Sequence, residues 1–279
     1  MGYPDDLLRR QRRCFRLAAG LAVITMLVAA CVTPAPSEPA RPFVTAILDT
    51  AVANTAQYGF HFVDVTPSEI ASVAQGQQGL VWLGGYDDAT CTWSWSDARV
   101  IALFDEYELA NTPRTGGYFL ADEPNTARTC PTAAADVRAR ARLVRSLDRD
   151  PQHFTLVNID DPAQFRAFAE SVDVIGTDPY PCRAGRGCDW SLIPAYIAAL
   201  RAAGVRRYVA LLQAFGAGDW RWPTAGELER MIAQWQKSDW SGEITFAWSY
   251  DGGRLLDHPD LLSVLQRLNV DPLFPFPPP

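Results

Sequence analysis

The chain has 279 residues, of which 48 % are hydrophobic and 20 % are charged. This composition supports a sizeable packed core and excludes disorder as the main state. The formal net charge of −7 argues against nucleic acid as a partner. The three histidines, His61, His153 and His258, lie far apart without metal-ligand spacing, so we expect no metal ion and no other cofactor.

The first thirty residues have the pattern of an export signal. Five arginines between positions 9 and 16 precede an apolar run from Leu17 to Ala30. The run ends in Val28-Ala29-Ala30-Cys31, which resembles the lipobox of bacterial lipoproteins. This resemblance implies a lipid on Cys31, which would hold the protein at the extracytoplasmic face of the cell membrane. The alternative is an uncleaved anchor, but fourteen residues are fewer than the ~20 that a spanning helix needs.

Short patterns also suggest the export route and the remaining segments. The stretch from Arg12 to Leu17 resembles the twin-arginine signal, from which Arg16 departs, and an ordinary Sec signal is the alternative. Residues 31–42 are rich in proline and predict an extended linker. We expect a single folded domain over residues 43–270, followed by a second proline-rich tail at 271–279.

Four cysteines remain once the predicted signal segment, with Cys14, and the lipidation site Cys31 are set aside, an even number that suits an oxidising compartment. Cys182 and Cys188 bound a seven-residue loop and predict one disulfide. That pairing leaves Cys91 to bond with Cys130. Both disulfides would then cross-link loops and not elements of the core.

Short apolar or β-branched runs alternate with amphipathic stretches from Phe43 onward. Eight runs predict strands, at Val44–Leu48, Phe60–Val65, Leu80–Leu83, Gly117–Ala121, Phe154–Ile159, Val174–Thr177, Tyr208–Leu212 and Ile244–Trp248. Helices are predicted between them, at Pro67–Ala74, Asp97–Tyr107, Ala133–Leu147, Ala163–Ser171, Leu192–Ala203, Ala225–Gln236 and Pro259–Leu268. Only the stretch after the first strand, residues 50–58, is poorly amphipathic.

This alternation predicts an α/β fold, the (β/α)8 TIM barrel. A doubly wound open sheet is the alternative, but no glycine-rich loop after a strand matches a nucleotide fingerprint. The active site of a (β/α)8 barrel lies at the carboxyl ends of its strands. We therefore look for chemistry in the residues that follow each predicted strand.

Carboxylates dominate these strand ends, without a Ser–His or Cys–His pair. They are Asp49, Asp64, Asp87, Asp88, Asp122, Glu123, Asp160, Asp161, Asp178 and Asp251. Paired carboxylates without a metal or phosphate motif favour glycoside hydrolysis, in which one acid protonates the leaving oxygen and a second carboxylate acts as base or nucleophile. The neighbouring loops are rich in tryptophan, whose indole faces stack on sugar rings: Trp93, Trp95, Trp190, Trp220, Trp222 and Trp248.

Three short stretches resemble the largest clan of retaining glycosidase barrels. Asp122-Glu123-Pro124, after the fourth strand, is similar to the clan's Asn-Glu-Pro, whose glutamate is the general acid/base. The resemblance implies this role for Glu123. The segment Asp173–Pro181 resembles the clan's sixth strand, which carries a tyrosine near the nucleophile, here Tyr180. Phe246-Ala247-Trp248 resembles the eighth strand, where a tryptophan floors the first sugar subsite.

Two departures from the clan limit this interpretation. Asp122 stands where the clan has asparagine, and Gln213 stands at about the position of its nucleophilic glutamate. An amide cannot attack an anomeric carbon as a carboxylate does. Three hypotheses remain: Asp178 or Asp251 is the second carboxylate, a substrate group is the nucleophile with Asp178 and Tyr180 orienting it, or the barrel only binds glycans.

The preferred hypothesis is an exported, lipid-anchored monomer that hydrolyses a neutral or cationic poly- or oligosaccharide. Its candidate catalytic residues are Glu123, Asp178 and Asp251, and its candidate substrate-binding residues are Asp49, Trp93, Asp122, Tyr180, Gln213, Trp220, Trp248 and Tyr250. A catalytic Glu123 should lie in apolar surroundings that raise its pKa. Otherwise it would pair with Arg114 or Arg128. The alternatives are a catalytically silent glycan-binding barrel and a structural envelope lipoprotein without a ligand.

Overall fold

The computed structural model describes residues 43–50, 55–126 and 129–276. Eight parallel strands close into a barrel in which neighbours in sequence are neighbours in the sheet. This confirms the predicted (β/α)8 fold. The strands are β1 (Val44–Ile47), β2 (Phe62–Val65), β3 (Gln78–Trp82), β4 (Thr115–Asp122), β5 (Phe154–Asn158), β6 (Val174–Thr177), β7 (Tyr208–Gln213) and β8 (Gly242–Phe246).

Helices connect most strands, as the alternation of patterns predicts. The α-helices are α1 (Asp97–Glu106), α2 (Ala133–Leu147), α3 (Phe165–Phe168), α4 (Leu192–Ala203), α5 (Ala225–Trp235) and α6 (Pro259–Val270). Two connections are tighter than predicted. Pro67–Ser72 is a 3-10 helix closed at its start by a capping box, and α3 is a single turn that follows the 3-10 segment Pro162–Gln164.

The core has two layers because successive side chains of a strand point to opposite faces. One set, which includes Phe62, Phe119, Phe154 and Leu211, fills the interior of the barrel. The other set packs between the strands and the surrounding helices. The upper members of the interior set, Phe119 and Leu211, also form the floor of a cavity at the carboxyl ends of the strands.

Both predicted disulfides are present, and both lie in loops at the carboxyl ends of the strands. Cys91 lies in the turn of a short two-stranded hairpin after β3, and its bond to Cys130 connects that turn to the loop after β4. Cys182 and Cys188 close a short loop after β6. The bridges therefore fix the loops around the cavity rather than the barrel wall.

The predicted signal segment, the predicted lipidation site Cys31 and the whole proline-rich linker lie outside the described residues. Of the predicted tail, residues 271–276 pack against the barrel: the Gln236 amide donates to the carbonyls of Pro272 and Phe274, and Phe276 is buried. Among the residues that the structure describes, no helix is both long and apolar enough to cross a membrane.

Candidate active site

A cavity of about 430 Å³ opens at the carboxyl ends of the strands. Its polar lining consists of four carboxylates and one amide, Asp49, Asp122, Glu123, Asp178 and Asn158. The rest is mainly aromatic, from Trp82, Phe119, Tyr180, Phe215, Trp220, Phe246 and Tyr250. A smaller cleft of about 200 Å³ on the outer surface, beside α2, contains none of the predicted site residues.

The backbone after β4 positions Glu123. The register between β4 and β5 shifts between Phe119 and Ala121, and Glu123 then adopts a left-handed conformation with φ of 47°. Its backbone N–H donates to the carbonyl of Asn158 at 3.0 Å, which holds the turn. A left-handed conformation is uncommon for a residue with a side chain and costs free energy, so such positions concentrate at functional sites.

Glu123 and Asp178 form the centre of the acidic cluster. Their carboxyl groups are in hydrogen-bond contact although they come from strand ends 55 positions apart. Burial, and then the charge of Asp178, raise the pKa of Glu123 well above that of a free glutamate. Burial also raises the pKa of Asp178, to a smaller extent, because its bond with Glu123 favours its charged form. Burial and mutual repulsion therefore favour a shared proton on this pair of carboxyl groups.

Asn158, the last residue of β5, connects this pair to Asp122. Its Nδ2 donates to Asp122 Oδ1 at 3.0 Å, and its side chain also contacts Asp178. One oxygen of Asp178, Oδ1, is buried without a hydrogen-bond partner among the described residues. Burial raises the pKa of Asp122 as well. The alternative for Glu123, an ion pair with a neighbouring arginine, is not found among the described residues, which leave Arg128 out.

Asp49 lines the opposite part of the cavity, and Asp64 fixes the loop that carries it. The Asp64 carboxylate accepts the backbone N–H of Asp49 at 2.9 Å and both the N–H and the hydroxyl of Thr50. Asp49 has a left-handed backbone with φ of 56°. Burial, and then the charges of Asp64 and Asp122, raise its pKa. Asp64 is thus structural, and Asp49 faces the site.

The aromatic side of the cavity is a set of mutually packed rings. Tyr180 stacks on Phe246 with ring centroids 6.3 Å apart and meets Phe215 edge-on at 5.0 Å. Trp220 packs beside Tyr180 and Phe215, and its indole Nε1 is buried without a partner among the described residues. Burial, and then the charge of Asp178, raise the pKa of Tyr180 far above its ordinary value, so its hydroxyl stays protonated.

Four of the predicted site residues lie outside the cavity. Gln213 is fully buried in the wall: its amide nitrogen donates to the carbonyls of Cys182 and Arg221, and its oxygen accepts the N–H of Cys182. Trp93 packs under the Arg140 guanidinium, 4.2 Å from the ring centroid. Trp248 packs against Tyr58, and Asp251 lies exposed in a tight turn.

Three residues that line the cavity, Trp82, Asn158 and Phe246, were not predicted as site residues, although Asn158 was among the polar residues at the predicted strand ends. Trp82 ends β3 and has the same inward parity as Leu80, so strand alternation was a usable signal. Phe246 occupies the cavity where Trp248 was expected, because β8 ends two residues earlier than predicted. The cavity thus combines the predicted Asp49, Asp122, Glu123, Asp178, Tyr180, Trp220 and Tyr250 with these three.

No family model matches the chain, and no curated protein matches it. Its fold is nevertheless shared with solved structures of carbohydrate-cleaving enzymes. A GH18 chitinase from Pseudoalteromonas aurantia superposes with a TM-score of 0.56 at 12 % identity, covering 80 % of this chain and 98 % of the other. The catalytic domain of a mannanase from Streptomyces sp. SirexAA-E gives 0.53 at 14 % identity, covering 86 % and 89 %.

A β-glucuronidase from Faecalibacterium prausnitzii superposes with a TM-score of 0.56 at 14 % identity; 86 % of this chain is covered, but only 50 % of that longer chain. At such identities the likeness shows the fold alone. Fold and site together define a (β/α)8 barrel with an acidic, aromatic-walled cavity at the carboxyl ends of its strands.

Proposed function

We propose that this protein hydrolyses glycosidic bonds in a poly- or oligosaccharide, with Glu123 as the general acid. The observation that carries the proposal is the position of Glu123, which lines the cavity beside Asp178, where burial raises the pKa of its carboxyl group. A general acid must hold a proton at the working pH and release it to the leaving oxygen. Burial and a neighbouring carboxylate give Glu123 this property.

The cavity also suits a sugar. Trp220, Tyr180 and Tyr250 offer aromatic faces, and Asp49, Asp122 and Asn158 offer hydrogen-bonding groups to hydroxyls. Solved structures of the same fold include a chitinase and a mannanase, which is consistent with a glycan substrate. The sequence favours an uncharged or cationic glycan because the net charge is negative.

The test compares the purified protein with Glu123→Gln on a panel of plain and amino-sugar polysaccharides, with new reducing ends as the readout. We expect cleavage by the parent and a loss of at least about 100-fold in Glu123→Gln, the size of a general-acid contribution. Glu108→Gln is the matched control, since Glu108 is also a left-handed glutamate, with φ of 50°, on the exposed surface. Equal activity of all three proteins would contradict the acid role.

A second candidate function, glycan binding without hydrolysis, is favoured by one observation. Gln213 replaces the expected nucleophile and is fully engaged in the wall. Retention on one of the same polysaccharides, without cleavage by any variant, would select binding over hydrolysis. On the pattern that ends at Cys31 we also propose a lipid anchor, and persistence of the protein in the membrane fraction after Cys31→Ala would contradict it.

A further inference from the structure

The separation of the two central carboxyl groups does not suit catalysis by a pair of protein carboxylates. Retaining glycosidases hold their two carboxyl groups about 5–5.5 Å apart, and inverting enzymes about 6.5–9.5 Å apart, to leave room for the anomeric carbon or for a water. Glu123 and Asp178 line the cavity side by side, with their carboxyl groups within hydrogen-bonding reach of each other. Neither a sugar carbon nor a water fits between them.

Gln213 and Asp251 lie outside the cavity, and Asp122 lines it but is held by Asn158. Gln213 is an amide with its polar atoms bonded to Cys182 and Arg221 in the wall. Asp251 is exposed in the turn after β8 and does not line the cavity. Asp122 is held by Asn158 beside Glu123, on the same strand end. The geometry leaves Asp178 in position to orient a reacting group rather than to attack.

We propose that the sugar at the cleavage point carries a 2-acetamido group, and that this group, oriented by Asp178, serves as the nucleophile. The proposal rests on the proposed hydrolytic function. Its basis is the unpartnered Oδ1 of Asp178, which is buried next to Glu123 and can accept the amide N–H. The protonated Tyr180 hydroxyl lies in the same cavity to donate to the acetamido oxygen, and the rings of Phe215 and Phe246 can cover its methyl group.

The reaction balances without a further reagent. The acetamido carbonyl oxygen attacks the anomeric carbon and closes a five-membered ring while the glycosidic C–O bond breaks. The bonding electron pair goes to the leaving oxygen, which takes the proton of Glu123. Asp178 stabilises the positive charge on the ring by accepting the N–H. Water then attacks the anomeric carbon and gives its proton to Glu123, and the ring C–O bond breaks, which regenerates the acetamido group with retained configuration.

A 2-hydroxyl could not replace this group, because its attack on the anomeric carbon would close a strained three-membered ring. A free 2-amino group has no carbonyl oxygen to attack. The proposal therefore makes a sharp distinction among substrates that have the same linkage but differ at one substituent.

The first experiment uses the purified protein and matched oligosaccharides with β-linked N-acetylglucosamine or N-acetylgalactosamine, their deacetylated forms, and the corresponding 2-hydroxy sugars. We expect cleavage of an acetamido series only, with the β-anomer as first product. Cleavage of the 2-hydroxy or deacetylated series at a similar rate would overturn the acetamido proposal and leave the hydrolase proposal standing. Cleavage of no series on this panel or the polysaccharide panel would overturn both.

The second experiment separates the positioning role of Asp178 from the acid role of Glu123. With aryl glycosides of the acetamido sugar, Glu123→Gln should recover most of its activity when the leaving group is a dinitrophenol, which needs no proton. Asp178→Asn should lose about 100-fold in kcat with either leaving group. It should also lose the steep fall in rate that fluorination of the acetyl group causes in the parent. Rescue of Asp178→Asn by the better leaving group, or an unchanged dependence on fluorination, would overturn the proposal.

Discussion

The two halves of the barrel mouth differ in chemistry. The ends of β4, β5 and β6 supply Asp122, Glu123, Asn158 and Asp178, a connected acidic cluster. The ends of β7 and β8 supply Phe215, Phe246 and Tyr250, which pack as rings. One half can exchange protons and orient polar groups, whereas the other can only shape and cover a ligand. Because the β7–β8 half places no carboxylate in the cavity, we propose a nucleophile that belongs to the substrate.

The amide of Gln213 in β7 and the carboxyl group of Glu243 in β8 point away from the cavity. Gln213 bonds into the loop closed by Cys182 and Cys188, and Glu243 lies on the outer face of β8, opposite Ile244. Glu243 is completely buried, and its contact with the hydroxyl of Thr245, at 2.7 Å, is a hydrogen bond. The half that lacks a carboxylate in the cavity therefore contains one in its wall, where it affects stability instead.

The largest expected effect is the pH dependence of stability from Glu243. Burial raises its pKa from 4.5 to about 8. The unfolded chain releases this proton above pH 4.5 while the folded chain keeps it, so the stabilisation is complete below 4.5 and is lost as the pH rises through 8. The loss amounts to at most about 5 kcal/mol. Chemical denaturation of the parent and of Glu243→Gln at pH 5 and 8 measures it.

Glu243→Gln should reduce this dependence because the amide does not ionise, and should leave the part that comes from the raised pKa of Glu123. The surface variant Glu108→Gln should leave it unchanged. If Glu243→Gln kept the full fall in unfolding free energy between pH 5 and 8, another group would be responsible.

A smaller effect is expected from restoring an acid in the aromatic half. Gln213→Glu removes the amide donors to the Cys182 and Arg221 carbonyls, and should reduce the unfolding free energy by about 3 kcal/mol, as for unsatisfied buried groups. It should not increase hydrolysis, since the side chain points away from the cavity. Gln236→Glu is the matched control: Gln236 also donates to two carbonyls but is only half-buried, where water replaces the bonds. A rate gain in Gln213→Glu would show that position 213 reaches the substrate.

The smallest expected effect is on substrate affinity, from removal of one aromatic ring of the cavity. Trp220→Ala should raise KM about tenfold with little change in kcat, the loss expected for one stacking face. Trp190→Ala is the control, because Arg230 lies over Trp190 at 4.2 Å as Arg183 lies over Trp220 at 4.5 Å, but Trp190 lies outside the cavity. Steady-state kinetics on a soluble glycan measures KM and kcat for both variants. If both variants changed KM equally, Trp220 would have a structural role and not a substrate-binding one.

Much of the fold followed from local patterns. The alternation of apolar runs and amphipathic stretches located all eight strands, and α2 and α4 have their predicted bounds. The pairing of Cys182 with Cys188 followed from their spacing alone, which the structure confirms. These features depend on residues close in sequence, so they can be predicted from periodicity and spacing.

The site was predictable only in part. Glu123 and Asp178 could be predicted as candidates from their positions at strand ends, because the carboxyl ends of all strands meet at one face of a barrel. Their mutual contact, the turning of Gln213 into the wall and the replacement of Trp248 by Phe246 were not predictable. Each depends on where a strand stops or which way one side chain turns, and a shift of one residue moves a side chain to the opposite face.

The sequence by itself determined that this chain forms a (β/α)8 barrel with carboxylates at its strand ends. The spacing of its apolar residues selects strands and helices that can bury their apolar faces against one another. Tertiary structure alone decided which carboxylates meet and which polar side chains turn into the wall. Those outcomes depend on the burial of charge and on hydrogen bonds between residues far apart in the chain, and neither is encoded in local spacing.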